Sequence, residues 1–174
     1  MEPTSKAPRE CTKVELAAFC RLVRDGGQVH DAGLEERVER AKKLVLLYDD
    51  ATLAGTAAIK DPTPGYRRRV FQKAQVPDLE HAYRLELGYV VVEKDYKGRK
   101  LSRLLVEAAL EGFTSTALFA TSRADRERMH RTLARYSFSR VGEAYMSDEE
   151  QCDVLLFVRP TAQQPDEVDE AHAD

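Results

Sequence analysis

The sequence predicts an α/β protein of the α+β kind, with a mixed sheet and one strand-to-helix crossover near its middle. Three observations carry that expectation. Residues 44–48 and 53–59 are short apolar runs on either side of Asp49-Asp50, as the arms of an antiparallel hairpin are. Residues 85–92 are apolar apart from Glu86, Gly88 and the tyrosine hydroxyl of Tyr89, as in a central strand buried on both faces. Soon after it Leu101, Leu104, Leu105 and Ala108 recur at helical spacing, while Arg103, Glu107 and Glu111 turn away.

The remaining elements follow in order. Residues 1–11 show no periodicity and read as a flexible N-terminus. Thr12 and Glu15 have the spacing of a capping box, and Val14, Ala17, Ala18 and Leu22 behind it predict a first helix ending near Gly26-Gly27. Leu34, Val38 and Ala41 mark a second amphipathic helix. After the hairpin, Asp61-Pro-Thr-Pro-Gly65 breaks the pattern and opens a long connection to residue 84, with a short helix expected at residues 70–74. That connection carries Tyr66, Arg67, Arg68, Arg69 and Phe71. It reads either as a solvated basic turn or as a segment that grips an anionic or carbonyl-bearing substrate. Residues 117–121 read as a further strand, and Ser122 or Asp125 as the cap of a helix with Met129, Leu133 and Tyr136 on one side. Residues 140–145 and 154–158 complete the sheet, joined by the polar loop 147–151.

At 174 residues the chain is the size of one domain, assigned to residues 12–160. No window approaches the length of an apolar membrane span and the first residues lack the apolar core of a secretion signal, so a cytoplasmic location is expected. Cys11, Cys20 and Cys152 form no paired motif, and His30, His81, His130 and His172 show no ligand spacing; reduced thiols and no metal are expected. Residues 161–174 hold Asp166, Glu167, Asp169, Glu170 and Asp174 with no Lys or Arg, and read as a disordered acidic tail. The rest of the chain is therefore net positive.

Residues 92–102, VEKDYKGRKLS, place Lys97, Arg99 and Lys100 around a helix N-terminus at the end of the central strand. Free amides, the positive end of the helix dipole and those cations together suit an anion. This stretch resembles the signature of the GNAT superfamily of acyl-CoA-dependent N-acetyltransferases, a strand running into a glycine-rich turn and then a helix with paired leucines, here Leu104-Leu105. YSFSRVGE, residues 136–143, is similar to that family's Gly-Phe segment after its last helix. The resemblance implies a mostly antiparallel mixed sheet flanked by helices, and acetyl-CoA as co-substrate. It assigns Val90, Val91 and Val92 to the pantetheine arm and Lys97, Gly98, Arg99, Lys100, Leu101 and Ser102 to the pyrophosphate.

Departures from the pattern are as informative as the matches. Lys100 and Ser102 stand where the family carries small residues, and Lys100 is tolerated if the turn is helical there or if its charge reaches a phosphate. The resemblance makes Glu86, the carboxylate of the central strand, the general base; the alternative is an ion pair with an arginine of residues 67–69. Leu133 occupies the position of the family's proton-donating tyrosine. Tyr136 and His130 are the substitutes on the same helix, and Arg126, where an asparagine is frequent, can meet a phosphate or a substrate anion.

Two functional classes follow. One is an N-acetyltransferase acting on a small-molecule or protein amine; the other is a transfer-inactive acyl-CoA sensor or protein-interaction module. Nucleic-acid binding through the arginine-rich helix is disfavoured because no aromatic residues interleave its arginines. A monomer and a homodimer both remain open, since an interface strand reads as core.

Overall fold

The computed structural model describes residues 1–27, 31–147 and 152–161. In chain order the elements are β1 (Pro3–Lys6), α1 (Lys13–Asp25), α2 (Leu34–Glu39), β2 (Lys43–Asp49), β3 (Thr52–Lys60), α3 (Pro64–Lys73), β4 (Leu85–Val92), α4 (Leu101–Leu110), β5 (Leu118–Arg123), α5 (Glu127–Arg135), β6 (Ser139–Met146) and β7 (Asp153–Arg159). The strands form one sheet in the order β1-β2-β3-β4-β5-β7-β6. Every neighbouring pair is antiparallel except β4 and β5, which α4 joins as a crossover. The expected mostly antiparallel mixed sheet is therefore the observed one.

Local chemistry explains the elements that position the site. Thr12 accepts from the Glu15 amide and Glu15 reaches back to the Thr12 amide, so the capping box forms and α1 starts where the sequence places it. Phe19, Leu22 and Val23 of α1, with Leu34 and Val38 of α2, cover Leu44, Leu46, Ala58 and Tyr89 on one face of the sheet. Farther along that face, Val70, Phe71 and Ala74 of α3 cover Phe119, Leu156 and Val158. The opposite face is closed by Leu101, Leu105, Val106 and Ala109 of α4 against Val45, Ala57, Ile59 and Leu87. A groove therefore runs between the α1/α2 pair and α3 above β4.

Three expectations are corrected. Residues 1–11 are not a flexible segment: Pro3–Lys6 is an edge strand paired with β2, and Lys6 ion-pairs with Glu15 of α1. Its stabilisation comes from backbone bonds, which leave no apolar alternation to read. The 61–84 connection is ordered throughout and longer in helix than expected. Thr63 caps α3 by accepting from the Tyr66 amide at 3.3 Å, Pro64 sits in the first turn where its missing N–H costs nothing, and a 3-10 turn follows at Pro77–Ala82. Arg67 and the buried Glu80 clamp that turn to α3 with a 2.6 Å ion pair. Neither Ser122 nor Asp125 caps α5; Ser122 lies within β5, and the N-cap is Arg126 without a side-chain bond. The acidic tail, apart from residue 161, lies outside the described residues, as do positions 148–151 of the loop joining β6 to β7.

The Val141-Gly142-Glu143 segment has a structural task. Gly142 has φ +65°, and a Cβ there would come within 2.0 Å of the Ala74 carbonyl, which accepts from the Glu143 amide at 2.9 Å. This contact ties a bulge of β6 to the C-terminal end of α3.

Candidate active site

β4 and β5 pair only at Leu85↔Leu118 and Glu86↔Phe119, although β4 runs on to Val92 and β5 to Arg123. Beyond Glu86 the two parallel strands part. A bulge drives the divergence: the register against β3 shifts between Thr56 and Ala58, Tyr89 takes φ +53°, and the buried Thr56 hydroxyl holds the Tyr89 carbonyl at 3.0 Å. The Glu93 amide bonds Ala54 of β3, so alternation along the strand turns the amides of Val90 and Val92 away from β3, into the splay. Val91 pairs with Thr56, and its backbone faces the other way.

The splay opens into a cleft of about 1430 Å³ that reaches both sides of the sheet. It is lined by β4, the loop after it, the start of α4, Thr121 and Ser122 of β5 and, from α5, Met129 and Leu133 together with Glu127, Arg128 and Arg131. Of the residues singled out in the sequence, Glu86, Val90, Val91, Val92, Lys97, Gly98, Lys100, Leu101, Ser102 and Arg126 all line it. Arg99 does not. Its guanidinium lies over the Tyr96 ring at 4.9 Å and faces a separate depression of about 710 Å³ beside the hairpin.

The loop itself is anchored rather than loose. Tyr96 donates to Asp49 of the β2–β3 hairpin at 3.0 Å, and this bond raises the tyrosine's pKa. Gly98 has φ +86°, and Lys100, the N-cap of α4, has φ +61° and ψ +20°. The turn is thus left-handed at Lys100, not helical, and a lysine there bears a steric cost of about 1 kcal/mol that a glycine would not. The backbone nonetheless follows the path a glycine would take. The first amides of α4, which have no intrahelical partner, face the splay end with the exposed cations Lys97 and Lys100 beside them. Lys100→Gly is expected to stabilise the fold by about 0.5–1 kcal/mol, the relief of strain being reduced by the added freedom of the unfolded chain, as thermal unfolding can measure.

Glu86 stands at the apex, with 3% of its side chain exposed. One oxygen accepts from Lys60 Nζ at 2.6 Å; the other receives the hydroxyls of Tyr66 at 3.4 Å and Thr121 at 3.3 Å. The ion-pair alternative is thus realised with Lys60, not with an arginine. Arg67 is committed to Glu80. The Lys60 stem crosses Gly88, where a Cβ would come within 2.7 Å of Lys60 Cδ, and its ammonium lies 4.8 Å from the Tyr89 ring centre and 5.3 Å from that of Tyr66. Burial alone would lower the pKa of Lys60, but the Glu86 carboxylate outweighs it and holds the ammonium above the ordinary lysine value. Tyr66 is pushed up to about 12 by burial and by the negative charge of Glu86.

Neither Tyr136 nor His130, the proton donors of α5 singled out in the sequence, lines the cleft. Leu133 does, and it is 2% exposed. The Tyr136 hydroxyl bonds Glu107 of α4 at 3.2 Å, and His130 bonds the Arg123 carbonyl at 2.9 Å beneath Phe157. Sequence reasoning missed Lys60, Tyr89 and Thr121. Lys60 closes an apolar run and reads as a strand end; only the Lys60↔Glu86 register exposes it as the carboxylate's partner. No group of three or more metal-ligating side chains occurs among the described residues, and no helix there is long and apolar enough to cross a membrane.

A seven-stranded sheet with one splayed parallel pair and a helix N-terminus at the end of the splay is the GNAT fold, the fold of acyl-CoA N-acyltransferases. Among solved structures the chain is similar to an acyl-CoA N-acyltransferase from Pseudomonas aeruginosa, at 20% identity and TM-score 0.65 over 91% of this chain and 98% of that one. It is similar to the ribosomal-protein-S18-alanine N-acetyltransferase of Escherichia coli at 14% identity and TM-score 0.63, over 95% and 98% of the two chains. It also resembles yncA from Salmonella typhimurium, solved with its cofactor acetyl-CoA, at 11% identity and TM-score 0.65 over 95% and 97%. No protein-family model and no curated sequence matches the chain.

Proposed function

We propose that the protein transfers an acetyl group from acetyl-CoA to a primary amine. The observation that carries this reading is the splay beside Glu86, with free strand amides on one wall and a cationic helix N-terminus at its end. The amides of Val90 and Val92 suit the amide-bearing arm of CoA, while the start of α4 with Lys97, Lys100 and Arg126 suits its phosphates. A bound yncA neighbour gives acetyl-CoA as the donor of reference.

The amine reaches Glu86 from the groove between α1/α2 and α3. A carboxylate has about four acceptor sites, and three donors already converge on Glu86, so one site remains for an N–H of the acceptor. The amine nitrogen forms its bond to the acyl carbon as the carbon–sulfur bond breaks; Glu86 takes the amine proton, directly or through water, and the thiolate is protonated from solvent. A splay amide of β4 stabilises the developing oxyanion. The second reading, donor binding without transfer, is favoured by one observation, the apolar Leu133 on the α5 wall. Calorimetric titration with acetyl-CoA, followed by a free-thiol assay with an amine panel, separates the two. Micromolar binding with thiol release supports transfer; binding without release supports the second reading; absence of binding removes both.

A further inference from the structure

Resting on the transfer reading, we infer that the acceptor is a small primary amine carrying its own anionic group, a carboxylate or a phosphate, and that Arg69 binds that group. Arg69 lies one helical turn beyond Tyr66 on the same face of α3. Tyr66 reaches Glu86, and Arg69 lines the same cleft nearer its mouth. Of its basic neighbours, Arg67 is committed to Glu80 and Arg84 with Lys42 to Asp61, while Arg68 does not line the cleft. Among the described residues no ion pair engages Arg69. Arg40 of the α2 rim also lines the cleft and is likewise exposed.

At its buried end the cleft does not favour the opposite class. Glu86 is the buried carboxylate of the cleft, and Lys60 neutralises it, so a polyamine gains no uncompensated negative charge there. A second observation points to an oxygen-rich ligand. Tyr89 is 7% exposed and lines the cleft, yet its buried hydroxyl has no partner among the described residues. A hydroxyl in that state favours a ligand that accepts its hydrogen bond. An acceptor whose nitrogen meets Glu86 and whose anion lies about one helical turn away, toward Arg69, fits these groups together; its two functions are a few bonds apart.

The test starts with the full chain and a calorimetric acetyl-CoA titration, which decides donor binding by itself. Initial rates are then measured with L-amino acids against their amides, phosphoethanolamine against ethanolamine, and linear diamines. The expected result is a preference of at least ten-fold in kcat/KM for the anionic member of a pair. Arg69→Ala should erase that preference mainly through KM, and Arg69→Lys should restore part of it. The amino-acid and phosphoethanolamine arms show which anion is used. Faster turnover of amides or diamines, no turnover of any anionic amine by donor-bound protein, or a preference unchanged in Arg69→Ala overturns the inference while leaving donor binding intact. Failure of acetyl-CoA to bind overturns both readings.

Discussion

Glu86→Gln is expected to lower acetyl transfer by about two orders of magnitude while leaving acetyl-CoA affinity nearly unchanged, the scale associated with loss of a general base. The two effects separate because Glu86 lies at the apex of the splay, whereas the groups proposed for the phosphates are at the far end of β4 and the start of α4. Glutamine keeps the side chain's shape and can still accept from Tyr66 and Thr121. It loses the charge that receives a proton and balances Lys60. Steady-state kinetics with a parallel calorimetric titration check the result: an unchanged kcat removes Glu86 from the chemistry, and weakened donor affinity shows that the two ends of the cleft are coupled.

The largest expected effect on stability comes from Lys60→Met. The pair is buried, with 15% of the lysine side chain and 3% of the glutamate side chain exposed. Removing one partner leaves a carboxylate desolvated without a counter-ion, a change that typically costs about 3–5 kcal/mol. Glu86→Gln leaves the ammonium in the same position, between two tyrosine rings. The double variant Lys60→Met/Glu86→Gln should therefore be more stable than Lys60→Met alone and than the sum of the single losses predicts, by at least 1 kcal/mol in a denaturant cycle. Additive losses would show that the two groups do not act as a unit.

The same pair sets an alkaline limit. The pKa of Lys60 is raised on folding, so its contribution is complete below the unfolded value of about 10.4 and is lost as pH rises through the higher folded value. Stability due to this pair should be constant from neutral pH to about 10, and Lys60→Met should remove the pair's share of the alkaline decline, leaving the share of Tyr66, whose raised pKa also costs stability above about pH 10.

Much of this architecture is legible in the amino acids, for identifiable reasons. The Asp49-Asp50 hairpin, the Thr12–Glu15 cap and the passage from β4 into α4 are local features in which turn chemistry and hydrophobic period agree. The cleft residues between Val90 and Ser102 belong to one short stretch of chain, so their grouping needed no knowledge of the sheet. What was missed depends on pairing. β1 is a polar edge strand, and α3 begins at prolines that read as a break. Lys60 meets Glu86 only because a bulge shifts the register between β3 and β4, and no local pattern encodes the phase of a bulge. Arg99 erred in the opposite sense, since proximity along the chain does not reveal that its guanidinium turns to Tyr96.

The short β4–β5 ladder also bears on how the molecule opens. The hydrogen-bonded continuity of the sheet between its four N-terminal strands and its three C-terminal strands rests on the pairs at Leu85 and Glu86. The two halves are otherwise held by α4 and by side-chain contacts such as Thr121 to Glu86. Sub-global opening should therefore begin at this seam, with the amides bonded across the Leu85–Leu118 and Glu86–Phe119 pairs exchanging faster than those of the β2–β3 hairpin. A ligand lying along β4 acts there as a missing strand, joining two cooperative units into one.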